Sequence, residues 1–317
     1  MTFDLIIVGG GPAGVAAGVY AGRKKLRTLF LTYDFGGQSV VSAEIQNWIG
    51  TPAISGEALA RQLETHLRAY EGEGLSIKTG VKVQAVVASG KNFTVTAESG
   101  EKFESRAVLI ATGATRRKLI VPGAAEFEQK GITYCATCDG PLFAGQDVAV
   151  IGGGNAALET AAQLLAYCRT VTLLNRSGNL RADAVTVEKV KAKTNFKLLL
   201  NAEPAEFRGD PSTTSGQANF VKELIYLDKA TGEKKSLAVG GVFVEIGLVP
   251  TTAMVKDLVK LNQYNQIVVD PRTQAASIAG VWAAGDCADG LYHQNNIAAG
   301  DAVKALEDIY NHLHLKT

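Results

Sequence analysis

Residues 131–143 read GITYCATCDGPLF, with two cysteines three apart and a carboxylic acid directly after the second. Cys135, Cys138 and Asp139 admit three chemistries: half of a zinc site, a structural staple, or a pair of thiols that exchange electrons. Structural zinc draws its ligands from two spaced pairs. The other cysteines, Cys168 and Cys287, stand alone, and His66, His293, His312 and His314 show no spacing that completes such a set. A staple across so short a loop removes little entropy from the unfolded chain and stabilises little. Asp139 beside two sulfurs suits a proton donor to a leaving thiolate, or else the acid that opens an Asp-Gly-Pro turn. Cys168 and Cys287 read as small buried hydrophobes.

A redox pair needs a source of electrons, and the chain repeats a nucleotide-binding pattern. DLIIVGGGPAGVAA at 4–17 and DVAVIGGGNAALET at 147–160 superpose without a gap, and at the same offset TLFLT at 28–32 falls on VTLLN at 171–175. Each copy is an apolar strand, a glycine turn, an alanine-rich helix and a second strand, the first βαβ unit of a dinucleotide-binding domain. One glycine motif alone is weak evidence, since tight strand-to-helix turns are common. Two copies in one context are strong. Gly9 and Gly152 make the turn, Gly11 and Gly154 let a pyrophosphate approach the backbone, and Gly14 or Ala157 lets the helix pack close to the sheet.

Further on, RAVLIATGA at 106–114 and GVFVEIGLVP at 241–250 each form an apolar strand ending near glycine. Proline-marked segments at 117–123 and 247–250 read as paired linkers. IAGVWAAGDCAD at 278–289 is one more buried strand, breaking at Gly285-Asp286, and NNIAAGDAVKALEDIYNHL after it has helical spacing. The expected fold is α/β, with two Rossmann-like dinucleotide-binding domains, the second (117–246) inserted into the first (1–116 and 247–317). ALARQLETHLRAY at 58–70 is an amphipathic helix with a solvated face, and RGDPSTTSGQ at 208–217 a surface hairpin or loop.

At 317 residues and 46% hydrophobic, the chain is long enough for two cores. A net charge of +1 gives no footprint for nucleic acid. No apolar run is long enough to cross a bilayer, and the N-terminus runs into a glycine turn with no basic leader, so a cytoplasmic protein is expected.

In FGGQ (35–38), QNWIG (46–50), YCATCDGPLF (134–143) and GVWAAGDC (280–287), the chain resembles the low-molecular-weight thioredoxin reductase family and the reductase part of the alkyl hydroperoxide reductase flavoprotein. The resemblance covers nearly the whole length. It implies that the first domain binds FAD through Gly9, Gly11, Gly14, Gly36, Gly37, Gln38, Asn47, Ala111, Thr112, Gly113, Gly285, Asp286 and Gln294. It implies a nicotinamide dinucleotide on Gly152, Gly154 and Ala157, and a redox-active Cys135–Cys138 disulfide on the same domain. The resemblance further implies that Cys138 faces the flavin, that Cys135 attacks a thioredoxin-like partner, that the linkers suit a hinge, and that the protein is a homodimer, with Asp139 the expected proton donor. The resemblance to the peroxide-reductase flavoprotein is to its reductase part and does not extend to its thioredoxin-like N-terminal region, so the expected acceptor is a separate small protein.

Two departures qualify the resemblance. NADPH-using members carry His-Arg-Arg and a further arginine after the second strand of the nucleotide unit, where this chain has NRSGNLRAD at 175–183, keeping Arg176 and Arg181. An NADH site favours an acid at the strand end, and Asn175 is not one. The expectation is therefore NADPH, with NADH possible. The second departure is His293-Gln294-Asn295-Asn296, where the family more often has a basic residue, Gln and then apolar residues. Together they keep open a flavoprotein of the same fold that takes electrons from ferredoxin or another flavin, or that oxidises dithiols.

Overall fold

The structure, a computed structural model, describes residues 2–42, 44–72, 74–209 and 219–315. The chain divides into two compact units, one of residues 1–42, 48–115 and 249–317, the other of 116–248 with the short stretch 43–47. Of the stretch 208–217, Arg208 and Gly209 end a strand, and the rest lies outside the described residues.

The first unit opens with β1 (Thr2–Val8), α1 (Pro12–Arg23), β2 (Thr28–Leu31), α2 (Gly56–Arg68) and β3 (Leu75–Lys78). A β4–β5 hairpin (Val83–Ser89, Asn92–Ala97), β6 (Lys102–Ile110) and the short β7 (Ala114–Arg116) follow. The second unit comprises β8 (Ile132–Thr133), α3 (Ala136–Asp139), β9 (Asp147–Ile151), α4 (Asn155–Leu164), β10 (Thr170–Asn175), α5 (Ala184–Lys191) and β11 (Phe196–Leu200). An antiparallel sheet of β12 (Ala202–Gly209), β13 (Val221–Asp228) and β14 (Glu233–Ala238) precedes β15 (Gly241–Val244). The chain then returns through β16 (Leu248–Pro250) to β17 (Val281–Ala283) and α6 (Asn295–His314) in the first unit.

The first unit is built round a mixed sheet, parallel through β3, β2, β1, β6 and β17 and antiparallel at β5 and β4, and the second round a parallel sheet; the central strands β1, β6, β9 and β15, buried on both faces, end in apolar runs. In β1, Leu5 and Ile7 pack with Ala17, Ala302 and Leu306 of α1 and α6. Ile6 and Val8, pointing the other way, pack with Val86, Val95 and Val255. In β9 the same alternation sends Ala149 and Ile151 toward Phe207 and Leu224, and Val148 and Val150 toward Leu158 and Ala161 of α4. The first sheet runs β3-β2-β1-β6-β5-β4, with β17 also on β6; the second runs β11-β10-β9-β15-β8. In each, the strand order reverses beside the first strand, between β1 and β6 and between β9 and β15. Ligands of such sheets bind at the carboxyl ends of the strands flanking that reversal.

The two crossings between units pair as a ribbon of β7 and β16. Arg117 N–H donates to Gly247 O at 3.0 Å, Thr251 N–H to Gly113 O at 3.0 Å, and the Thr115 hydroxyl to Val249 O at 3.4 Å. The partner of 248–250 is thus 114–116 and not the Pro122–Gly123 turn. That turn belongs inside the second unit, where Pro122 O accepts from Phe207 N–H at 2.9 Å and a Cβ on Gly123 would meet Phe207 O at 2.2 Å.

Candidate active site

At the first reversal point the glycine turn after β1 meets the turn after β6. A Cβ on Gly9 (φ +122) would lie 2.2 Å from Ala111 O, and one on Gly14 would lie 1.8 Å from Gly9 O, so neither position tolerates a side chain. Gly11 differs. Its Cβ would stand in open space, and as N-cap of α1 it offers no side-chain acceptor to the first helical N–H groups. Bare amide donors, an open approach and no acid in the first turn suit the pyrophosphate of a dinucleotide, and the residues present fit that group. Gly36 N–H donates to Gly10 O at 2.9 Å, and a Cβ on Gly37 would lie 3.5 Å from Gly11 Cα. Gln38 Nε2 donates to Asp286 Oδ2 at 3.1 Å, and Gly285 fits between Ala13 and Ala298. Thr112 donates to Thr251 O at 2.6 Å, and Gln294 is the N-cap of α6. The structure therefore gathers Gly9, Gly11, Gly14, Gly36, Gly37, Gln38, Ala111, Thr112, Gly113, Gly285 and Asp286 round one point. Asn47 lies in the 43–47 stretch that groups with the second unit. His293 Nδ1 stands 3.4 Å from Asp286 Oδ1, beside this cluster.

The second reversal point repeats the geometry. Gly152 (φ +150) has room for no Cβ, which would lie 2.3 Å from Glu245 O. Gly154, like Gly11, opens into space and caps its helix with an extended backbone and no side-chain bond. Ala157 replaces the last glycine and is fully buried, its methyl against Gly152. An anionic dinucleotide fits here too.

Where the first unit has Ala111, the second has Glu245, a residue that no motif marks. Its carboxyl is only 8% exposed, accepts from the Thr160 hydroxyl of α4 at 3.0 Å, and lies 3.5 Å from the Arg116 guanidinium. Burial pushes it up to about 7, against the pull of Arg116 and Thr160, with the Glu159 charge adding to the rise. The chain offers no local signal for this contact, because Thr160 and Glu245 are 85 residues apart.

After β10 the chain enters the loop carrying Arg176 and Arg181. Both side chains are exposed, and among the described residues neither takes part in an ion pair. Asn175, at the strand end, is buried. The loop is tied to the glycine turn, with Arg181 N–H donating to Gly153 O at 2.7 Å and Asp183 N–H to Asn155 Oδ1 at 2.8 Å.

Cys135 and Cys138 form a disulfide, with Cα atoms 5.3 Å apart, at the short helix α3. Cys135 is the N-cap, and its Sγ accepts from Cys138 N–H at 3.2 Å. Both cysteines are half-buried, and Asp139 follows in the same turn. Burial holds the Asp139 carboxyl above its ordinary range, while the hydroxyl of buried Thr133, which donates to it, pulls it down. The site thus sets a half-buried disulfide, the form that thiol exchange requires, directly before an acid held above its ordinary range. Cys168 and Cys287 are buried free thiols, both pushed up to about 11 by burial.

Residues 3–302 match the family described as pyridine nucleotide-disulphide oxidoreductase. The chain is 40% identical over 98% of its length to the F component of alkyl hydroperoxide reductase from Pseudomonas aeruginosa, and 38% identical over 98% to a Bacillus subtilis protein named NADH dehydrogenase. It spans 58% of the length of each of these relatives. Among solved structures, the thioredoxin reductase of Streptococcus pyogenes superposes with a TM-score of 0.87 at 32% identity, covering 98% of both chains. That of Giardia duodenalis superposes with a TM-score of 0.90 at 30% identity, covering 99% of both. With its fold, its two reversal points and its disulfide all in agreement, the chain belongs to the pyridine nucleotide-disulphide oxidoreductase family.

Proposed function

We propose that this chain is a flavin-dependent disulfide reductase that takes electrons from NADPH and passes them through FAD and the Cys135–Cys138 disulfide to a thioredoxin-like protein. The observation that carries the reading is that half-buried disulfide, set on the same unit as one of two dinucleotide crevices. FAD would be held at the first reversal point by the turns at 9–14, 36–38, 111–113 and 285–286, with Asn47 and Gln294 as the family pattern implies; NADPH would be held by Gly152, Gly154, Ala157, Arg176 and Arg181. When bound, the flavin supplies the conversion of a hydride from the nicotinamide into an electron pair for a disulfide.

The protein's own residues carry the rest. Once reduced, Cys135 as thiolate attacks one sulfur of the partner's disulfide, forming a mixed disulfide and releasing the partner's other sulfur as thiolate. Cys138 then attacks Cys135, re-forming the internal disulfide and freeing the partner as a dithiol. Asp139 gives its proton to a leaving thiolate, a task suited to an acid whose burial favours the protonated form. Cys138 N–H, which already reaches Cys135 Sγ, supports negative charge on that sulfur. The β7–β16 ribbon serves as the hinge that lets one flavin meet nicotinamide and disulfide in turn. Among the described residues no helix is long and apolar enough to cross a membrane, and a cytoplasmic homodimer completes the reading.

A second reading takes NADH as donor, favoured by the name of the Bacillus subtilis relative. Against it stands Asn175, which supplies no carboxylate for the ribose hydroxyls. The main reading is tested with Cys138→Ser. NADPH should still bleach the flavin of this variant, while reduction of a thioredoxin-like protein is lost. Full reduction of that partner by the variant would overturn the proposal.

A further inference from the structure

Asn175 ends β10 with its side chain 6% exposed, at the position where a nucleotide's ribose hydroxyls would meet an acid in an NADH site. Its amide is turned inward. Nδ2 donates to Ser177 O at 2.9 Å and to Asn179 O at 2.9 Å, with the Ser177 Oγ at 3.1 Å. Two main-chain carbonyls at that distance fix the orientation of the amide, because only its NH₂ end can serve them. Its oxygen packs toward the glycine turn, where a Cβ on Gly153 would lie 2.3 Å from Oδ1. The amide thus fills the gap between the phosphate turn and the loop. Ser177 donates to Asn179 O at 3.1 Å, closing the same knot. Arg176 begins this loop and Arg181 leaves it, anchored by its own N–H on Gly153 O.

Resting on the reading of the second unit as an NADPH site, we infer that Asn175 is a specificity-determining positioning residue, whose side chain never contacts the nucleotide but holds the 176–181 loop so that Arg176 and Arg181 are presented together to a 2′-phosphate. Preorganisation is the source of the effect. An exposed loop bearing two arginines loses backbone and side-chain freedom when it closes on an anion, and a loop already knotted from within loses less. The knot also gives the buried amide its partners: Asn175 Nδ2 shares the Asn179 carbonyl with the Ser177 hydroxyl, and the Ser177 carbonyl with Asn201 N–H at 3.3 Å. Aspartate at 175 has the same shape and no donor, so it breaks the knot and sets a negative charge beside the phosphate. Alanine breaks the knot and adds no charge.

The test is calorimetric titration of the FAD-loaded protein with 2′,5′-ADP and with 5′-AMP, ligands that differ by the 2′-phosphate alone. Wild type should bind 2′,5′-ADP at least about tenfold more tightly. Asn175→Ala should weaken 2′,5′-ADP by about tenfold and leave 5′-AMP within about twofold. Asn175→Asp should remove the preference altogether, and Asn175→Ser, which keeps one donor, should fall between wild type and alanine. Equal loss for both ligands would mark a residue that merely supports the fold and would overturn the inference, as would an unchanged ratio in Asn175→Ala. Wild type without preference for 2′,5′-ADP would sink the NADPH reading itself, and the inference with it. If Asn175→Ala does not fold, the serine variant decides: an unaltered ratio there counts against the role.

Discussion

Replacing Glu245 by glutamine should change how the stability of the second unit depends on pH, with a sign the burial of this acid dictates. The carboxyl titrates near 7 in the folded chain against 4.5 for a free glutamate, a rise equivalent to about 3 kcal/mol of preference for the neutral form. For an acid raised on folding, that stability is present in full below the unfolded value, declines as pH rises through the folded value, and is gone above it. About 2 kcal/mol of the decline falls between about pH 5.5 and pH 8. Glutamine keeps an oxygen for the Thr160 hydroxyl and removes the titration. The variant should therefore gain about 2 kcal/mol relative to wild type over that interval. Both tryptophans, Trp48 and Trp282, lie in the first unit, so fluorescence does not report the second. Urea-dependent hydrogen exchange in the peptide covering 241–245 does. Parallel pH curves for the two proteins would show that Glu245 is not an acid raised by burial, and the reasoning from its environment would fail.

Gly11→Ala should leave the melting temperature of the apoprotein nearly unchanged, since its Cβ meets nothing, yet weaken FAD retention on dialysis by about tenfold or more. Gly14→Ala, whose Cβ would press on Gly9 O at 1.8 Å, should instead destabilise the unit by about 2 to 3 kcal/mol; the reverse ranking would contradict the assigned roles. Cys168→Ser and Cys287→Ser should keep turnover within about twofold of wild type, because thiols held near 11 supply almost no thiolate at neutral pH; a tenfold fall in kcat for either would give it a part in electron transfer.

The glycine framework is legible in the sequence because its constraints are local. A strand, a turn with no room for Cβ and a helix with an open N-terminus leave their mark on neighbouring residues, and the two copies agree in backbone: Gly11 has φ −77° and ψ −176°, Gly154 φ −100° and ψ −177°. Helix α6 and strand β17 are legible for the same reason, as periodic apolar runs. What stays hidden depends on residues far apart. The true linker pairing is masked because Pro122–Gly123 carries the stronger punctuation, whereas 114–116 and 248–250 pair through backbone bonds that composition does not mark. The sheet of β12, β13 and β14 has a mostly exposed edge strand, EKKSLA, with no apolar alternation to announce it. Glu245 and the inward amide of Asn175 are each ordinary residue types whose meaning comes from what burial places against them.

The proposed function stands on nicotinamide electrons reaching Cys135 and Cys138. Anaerobic incubation of the FAD-loaded protein with NADPH, followed by alkylation and peptide mass spectrometry, addresses this without any partner protein. Both cysteines should be alkylated after NADPH and neither before, while buried Cys168 and Cys287 remain unmodified under native conditions. A flavin fully reduced by NADPH while Cys135 and Cys138 stay inaccessible to the alkylating agent would contradict the proposal, and the disulfide would then lie off the electron path.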